Sequence, residues 1–81
     1  MTKKERFAIA STILALKKMG YSRAETIKMI KRSYLMERLL MDHVFFFHYG
    51  EDQWADWVID DCEHLDRIER ELAEKEIAIG A

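Results

Sequence analysis

The side chains of this sequence best suited to metal ligation or nucleophilic chemistry are His43, His48, His64 and the lone thiol, Cys62. Two of them fall in MDHVFFFHYGEDQWADW, residues 41–57, which also holds six of the nine Phe, Tyr and Trp residues and four acids. Imidazole and carboxylate are common zinc ligands, so a metal or cofactor site is the first chemistry to consider. His43 and His48 are five residues apart, about 140° around a helix, and cannot chelate one ion while the helix is intact. His64 has Asp60 and Asp61 one turn earlier, but no second pair at matching spacing accompanies it, such as the two Glu-x-x-His motifs of a diiron bundle. Cys62 is flanked by acids, which raise a thiol pKa, and falls on an apolar helix face where cysteine behaves as a small hydrophobe. There is no glycine-rich phosphate loop. The expectation is a protein without metal, cofactor or catalytic residues.

The elements that carry these residues read as helices. The chain has no proline, is 49% hydrophobic and 35% charged, and at 81 residues is near the size at which one core can support folding. Thr2-Lys-Lys-Glu5 and Ser22-Arg-Ala-Glu25 both fit the capping box, in which a hydroxyl accepts from the N3 amide and the N3 carboxylate reaches back to the cap. Gly20 stands where a left-handed residue would end the first helix, with Leu16 and Tyr21 as the apolar contact of such a stop. The first helix is therefore expected over about 3–19, burying Phe7, Ala10, Ile13 and Leu14, with Ile9 and Leu16 widening the face.

A second helix starts at Arg23, and nothing forces it to stop before Gly50, so it is expected over 23–48. Ser33 is a good N-cap and offers the alternative of a break near residue 33. Gly50-Glu-Asp52 reads as turn and N-cap of a last helix over about 53–77. Its seam runs through Trp54, Val58, Cys62 with Asp61, Leu65, Ile68, Leu72 and Ile79, and positions 58, 65, 72 and 79 repeat every seven residues. Asp61 and Lys75 weaken the second position of that seam. The fold class is thus all-α: one helical domain, an antiparallel bundle of three helices, or four if the second breaks, with a long C-terminal helix.

Charge is divided along the chain. Residues 1–40 carry ten Lys or Arg against three acids, and residues 41–81 three against twelve. Antiparallel packing of the second and last helices would lay these charges side by side. It also leaves a first helix of about 25 Å too short to reach Val44 to Tyr49, Trp54 or Trp57. The aromatic segment then becomes the tip of a helical hairpin, with more apolar surface than one chain covers.

Three further readings concern partners. Leu16-Lys-Lys-Met19-Gly20-Tyr21 followed by SRAETIKMI resembles the Met-Gly-Phe/Tyr loop and second helix of ubiquitin-associated domains. The resemblance covers about fifteen residues; the family's next turn has no counterpart, and the family is not assigned on it. It implies a compact three-helix binder with Met19, Gly20 and Tyr21 as contact residues. Lys17, Lys18, Arg23, Lys28, Lys31 and Arg32, with Tyr21 and Tyr34 nearby, form a candidate basic patch for nucleic-acid phosphates. No apolar run reaches the eighteen residues that would suggest a membrane span, the N-terminal run is broken by Ser11 and Thr12 as in a mature helix, and the single cysteine suits a reducing, cytoplasmic setting.

Aromatic clusters dominate protein interfaces, and large uncovered ones are rare on soluble monomers. The sequence therefore suggests a non-enzymatic module acting by stoichiometric binding of another protein, a regulator, adaptor or inhibitor of the size phages and plasmids encode. Homodimerisation is expected through the tip, with Phe45, Phe46, Phe47, Tyr49, Trp54 and Trp57 at the interface and Leu65, Ile68 and Leu72 extending it. The alternative is a nucleic-acid-binding protein using the basic face.

Overall fold

The computed structural model describes residues 1–80, with side chains to Ile77, so Ile79 of the expected seam lies outside the described side chains. The order is α1 (Lys3–Lys18), α2 (Arg23–Arg32), α3 (Leu35–Met41), α4 (His43–His48) and α5 (Glu51–Gly80), with no strand among the described residues. The helices pack as a small all-α bundle with a long C-terminal helix.

Both capping boxes form. Thr2 and Glu5 exchange side-chain and backbone hydrogen bonds at the start of α1, and Ser22 and Glu25 do so at the start of α2. Gly20 has φ +106°, while the Tyr21 N–H donates to Leu16 O and the Gly20 N–H to Lys17 O. That pair of hydrogen bonds is the Schellman stop anticipated from the glycine.

The second expected helix is not continuous. Ser33 turns extended, with φ −76° and ψ 174°, and its hydroxyl donates to Ile30 O and accepts from the Leu35 N–H. The chain breaks again at Asp42, with φ −155° and ψ 89°, whose carboxylate accepts from the Phe45 N–H and so caps α4. The last helix begins two residues earlier than expected, because Gly50 O already accepts from the Gln53 and Trp54 N–H groups.

The break at Ser33 is held from outside. Asp61 on α5 accepts from the Tyr34 N–H at 3.0 Å and from both terminal nitrogens of Arg38 at 2.6 and 2.8 Å. Its side chain is only 9% exposed, so the residue expected to weaken the seam is a buried carboxylate satisfied by three donors. Burial pushes the Asp61 carboxyl up, but the Arg38 fork and the Tyr34 amide outweigh it and leave the pKa below its usual value.

The buried face of α1 is rotated from the expected one. Ala8, Thr12, Ala15 and Leu16 are buried, whereas Phe7 and Leu14 are 59% and 60% exposed and Ala10 also faces out. The small side chains at 8, 12 and 15 allow close approach to α5, the principal neighbour of α1, whose own buried face includes Ala55 and Val58. Thr12 tolerates burial because its hydroxyl donates to Ala8 O. Along α5 burial ends early: Leu65 is half-buried, and every described side chain from Asp66 to Ile77 is exposed.

Replacing Asp61 with Asn should lower stability by about 2–3 kcal/mol, less than the loss for a fully enclosed pair because the Arg38 side chain is 34% exposed. Asp61 titrates lower in the folded chain, so its stabilisation is complete above the ordinary carboxylate pKa of about 3.9 and is lost as pH falls through the lower folded value. Urea titrations of both proteins from neutral pH down to about pH 2 should therefore converge at the acid end. A constant difference across that range would show that the carboxylate charge is not the cause.

Candidate protein-interaction surface

The aromatic segment forms two layers. In the inner layer Phe46 is fully buried and stacks on Trp54, with ring centroids 4.5 Å apart and planes 14° apart. Trp54 is 2% exposed, and its indole N–H donates to Phe46 O at 3.0 Å, so the ring meets both its apolar and its polar requirement inside the fold. Phe47 and Phe7 meet the same indole edge-on at 5.5 and 6.4 Å. The Phe7 contact corrects the expectation that the first helix is too short to reach Trp54. Breaking the second helix brings the aromatic segment back toward the start of α1, whose Lys4 shares a shallow depression with Asp42, His43 and His48.

The outer layer is Phe45, Tyr49 and half-buried Trp57. Phe45 stacks on Trp57 at 6.4 Å, and Tyr49 lies edge-on to both rings at 5.2 and 5.4 Å. The Arg38 guanidinium sits 5.4 Å from the centre of the Trp57 ring while paired with Asp61, so the ion pair also braces the outer aromatic layer. Phe45 remains 54% exposed and lines the same shallow depression as Val44, and on α3 and α4 Leu40, Met41 and Val44 are at least 70% exposed.

The candidate interface residues therefore divide by depth. Phe46 and Trp54 belong to the core and Phe47 is half-buried; Phe45, Tyr49 and the edge of Trp57 reach the surface. Leu65, Ile68 and Leu72 lie apart from this layer, along the distal part of α5. Leu40, Met41 and Val44 were missed in the sequence because an unbroken helix assigns them to a covered stretch. The available signal was Asp42, an N-cap residue directly ahead of an apolar run.

Of the basic residues, Lys17, Lys18, Arg23, Lys28 and Lys31 are exposed and make no ion pair among the described residues. Arg32 instead pairs with Asp66 and Glu69 across α2 and α5. In the loop resembling ubiquitin-associated domains, Met19 is 46% exposed while Tyr21 packs against the core.

Cys62 is buried, with Sγ 3.5 Å from Met29 O; burial raises its thiol pKa, and Asp66 and Asp61 add to the rise against the opposing charge of Arg32. Among the described residues, no group of three His, Cys, Asp or Glu is arranged to hold a metal ion, and no helix is long and apolar enough to cross a membrane. No protein-family model, curated protein or solved structure matches the chain.

The two layers should respond differently to truncation. Phe46→Ala opens a cavity under Trp54 and should destabilise by about 3–5 kcal/mol. Phe45→Ala, which removes a largely exposed ring, should stay within about 1 kcal/mol in the same denaturant titration. Equal losses at the two positions would contradict the division into core and surface.

Proposed function

We propose that the protein is a non-enzymatic interaction module that acts by stoichiometric binding, works as a homodimer, and uses the outer surface of α3 and α4 to dock another protein as regulator, adaptor or inhibitor. The observation that carries this reading is that the apolar side chains of Leu40, Met41, Val44, Phe45 and Tyr49, all on or at the end of α3 and α4, stand uncovered. It is built on two helices of seven and six residues, too short to hold their shape alone and kept in place by the buried side chains of Leu35, Leu39 and Phe46. Such a surface presents aromatic and aliphatic anchors already ordered by their neighbours, which reduces the entropy lost on docking. Because Phe46 and Trp54 are used internally, the docking face is narrower than the six-ring tip expected from the sequence.

A photo-crosslinking residue in place of Val44 should give a discrete adduct with one protein in an extract of the native cells, and Phe45→Asp should remove that adduct while preserving the helical circular-dichroism spectrum. The absence of any adduct from the unsubstituted surface would remove this docking face.

Nucleic-acid binding is the second reading, supported by the five exposed bases without ion-pair partners among the described residues. It requires fluorescence anisotropy with a labelled duplex to show binding at about 50 mM salt that weakens steeply as salt rises, with Lys28→Glu and Lys31→Glu abolishing it. No binding at the low-salt end disposes of this reading.

A further inference from the structure

Beyond Asp66 and Glu69, which meet Arg32 of α2, the described side chains of α5 to Ile77 stand without cover, and a helical segment of roughly four turns from Asp66 to Gly80 is marginal as an isolated helix in water. Its apolar residues continue the seam of the core: Leu65 is half-buried, and Ile68 and Leu72 follow at 37% and 53% exposure. A second uncovered stripe lies on α1, where Phe7, Ala10 and Leu14 face out. The two stripes have the same spacing, i, i+3 and i+7, which is one side of a two-helix seam.

Their flanks are opposite in charge. Taking Phe7 and Leu14 as one seam position and Ala10 as the other, the rim of the α1 stripe carries Lys4, Arg6 and Lys18, and Lys17 continues the stripe itself. Taking Leu65 and Leu72 with Ile68 in the same way, the rim of the α5 stripe carries Glu71 and Glu76 together with Glu69, which also meets Arg32 of its own chain, and Lys75 continues the stripe itself. Beside Leu14 a shallow groove lined by Ala10, Ile13, Lys17 and Arg23 gives an apolar floor with basic edges. Pairing α5 with a second α5 would set acidic rims against each other, which disfavours that match.

We infer that two copies of this chain associate by reciprocal exchange, the distal α5 stripe of each copy docking on the outward α1 stripe of the other. The inference rests on the homodimer reading above and places its contact away from the α3 and α4 surface, which stays free for a different protein. A two-fold arrangement makes both contacts at once and closes the assembly at two chains. It covers the apolar stripe of α5 and brings the acidic second half of one chain to the basic first half of the other.

Multi-angle light scattering at micromolar concentration, with circular dichroism as the folding control, tests this on the full chain. The unsubstituted protein is expected at about twice the chain mass, and Ile68→Glu with Leu72→Glu is expected at one. Charge reversal supplies a second test that leaves the apolar residues intact. Lys4→Glu with Lys18→Glu, or Glu71→Lys with Glu76→Lys, should each weaken self-association about tenfold, and mixing the two reversed proteins should restore a dimer. Phe45→Asp should leave the mass at two chains. A monomeric unsubstituted protein overturns both this inference and the homodimer reading. A dimer that is lost with Phe45→Asp and survives the α5 and charge-reversal variants overturns this inference alone and puts the contact at the aromatic surface.

Discussion

Asp61 is the residue through which the rest of the fold is coordinated. Its carboxylate takes the Tyr34 N–H, an orphan left by the break between α2 and α3, and the two terminal nitrogens of Arg38 one turn further on. One side chain on α5 thereby fixes both where α3 starts and which way it faces. Arg38, held by that bond, lies against the Trp57 ring. An apolar residue at position 61 would suit the seam better, since desolvating an ion pair offsets much of its attraction. It would also leave the Tyr34 amide without a partner and α3 without an anchor. The pair is better understood as a device that selects one arrangement of short helices than as a large source of net stability.

That arrangement explains the different fates of similar aromatic residues. Phe45, Phe46 and Phe47 are consecutive, yet their exposure runs from more than half to nothing to partial. Consecutive positions on a helix are about 100° apart, so three adjacent rings cannot share one face. The Asp42 cap sets the phase of α4, and this phase directs Phe46 at Trp54. The indole N–H bond to Phe46 O then ties the end of α4 to the start of α5. The exposed ring of Phe45 is therefore supported from beneath by a rigid layer.

The division of charge along the chain is only partly used within it. Arg32 and Arg38 meet the acids of α5, Arg38 at Asp61 and Arg32 at Asp66 and Glu69. The remaining bases of α1 and α2 face away, and the acids beyond Glu69 lie on the part of α5 that no other helix covers. Surface pairs contribute little to stability singly, so the larger effect of these unpaired charges is on which surfaces can approach one another.

The parts of the structure legible in the amino-acid order are those set by hydrogen bonds within one helical turn. Thr2 with Glu5, Ser22 with Glu25 and the positive φ of Gly20 place three helix ends, because donor, acceptor and backbone freedom all lie within a few residues of each other. The long C-terminal helix and the all-helical class follow from periodicity and the absence of proline. Ser33 was legible as a possible cap, but the choice between cap and helix interior depended on Asp61, twenty-eight positions away in the chain. The buried face of α1 escaped for a related reason: Phe7 and Leu14 are more hydrophobic than Ala8, Thr12 and Ala15, yet the helix turns its small residues inward. Hydrophobicity ranks side chains one at a time, whereas packing depends on how closely a neighbouring helix can approach, and that distance exists only once α5 is alongside.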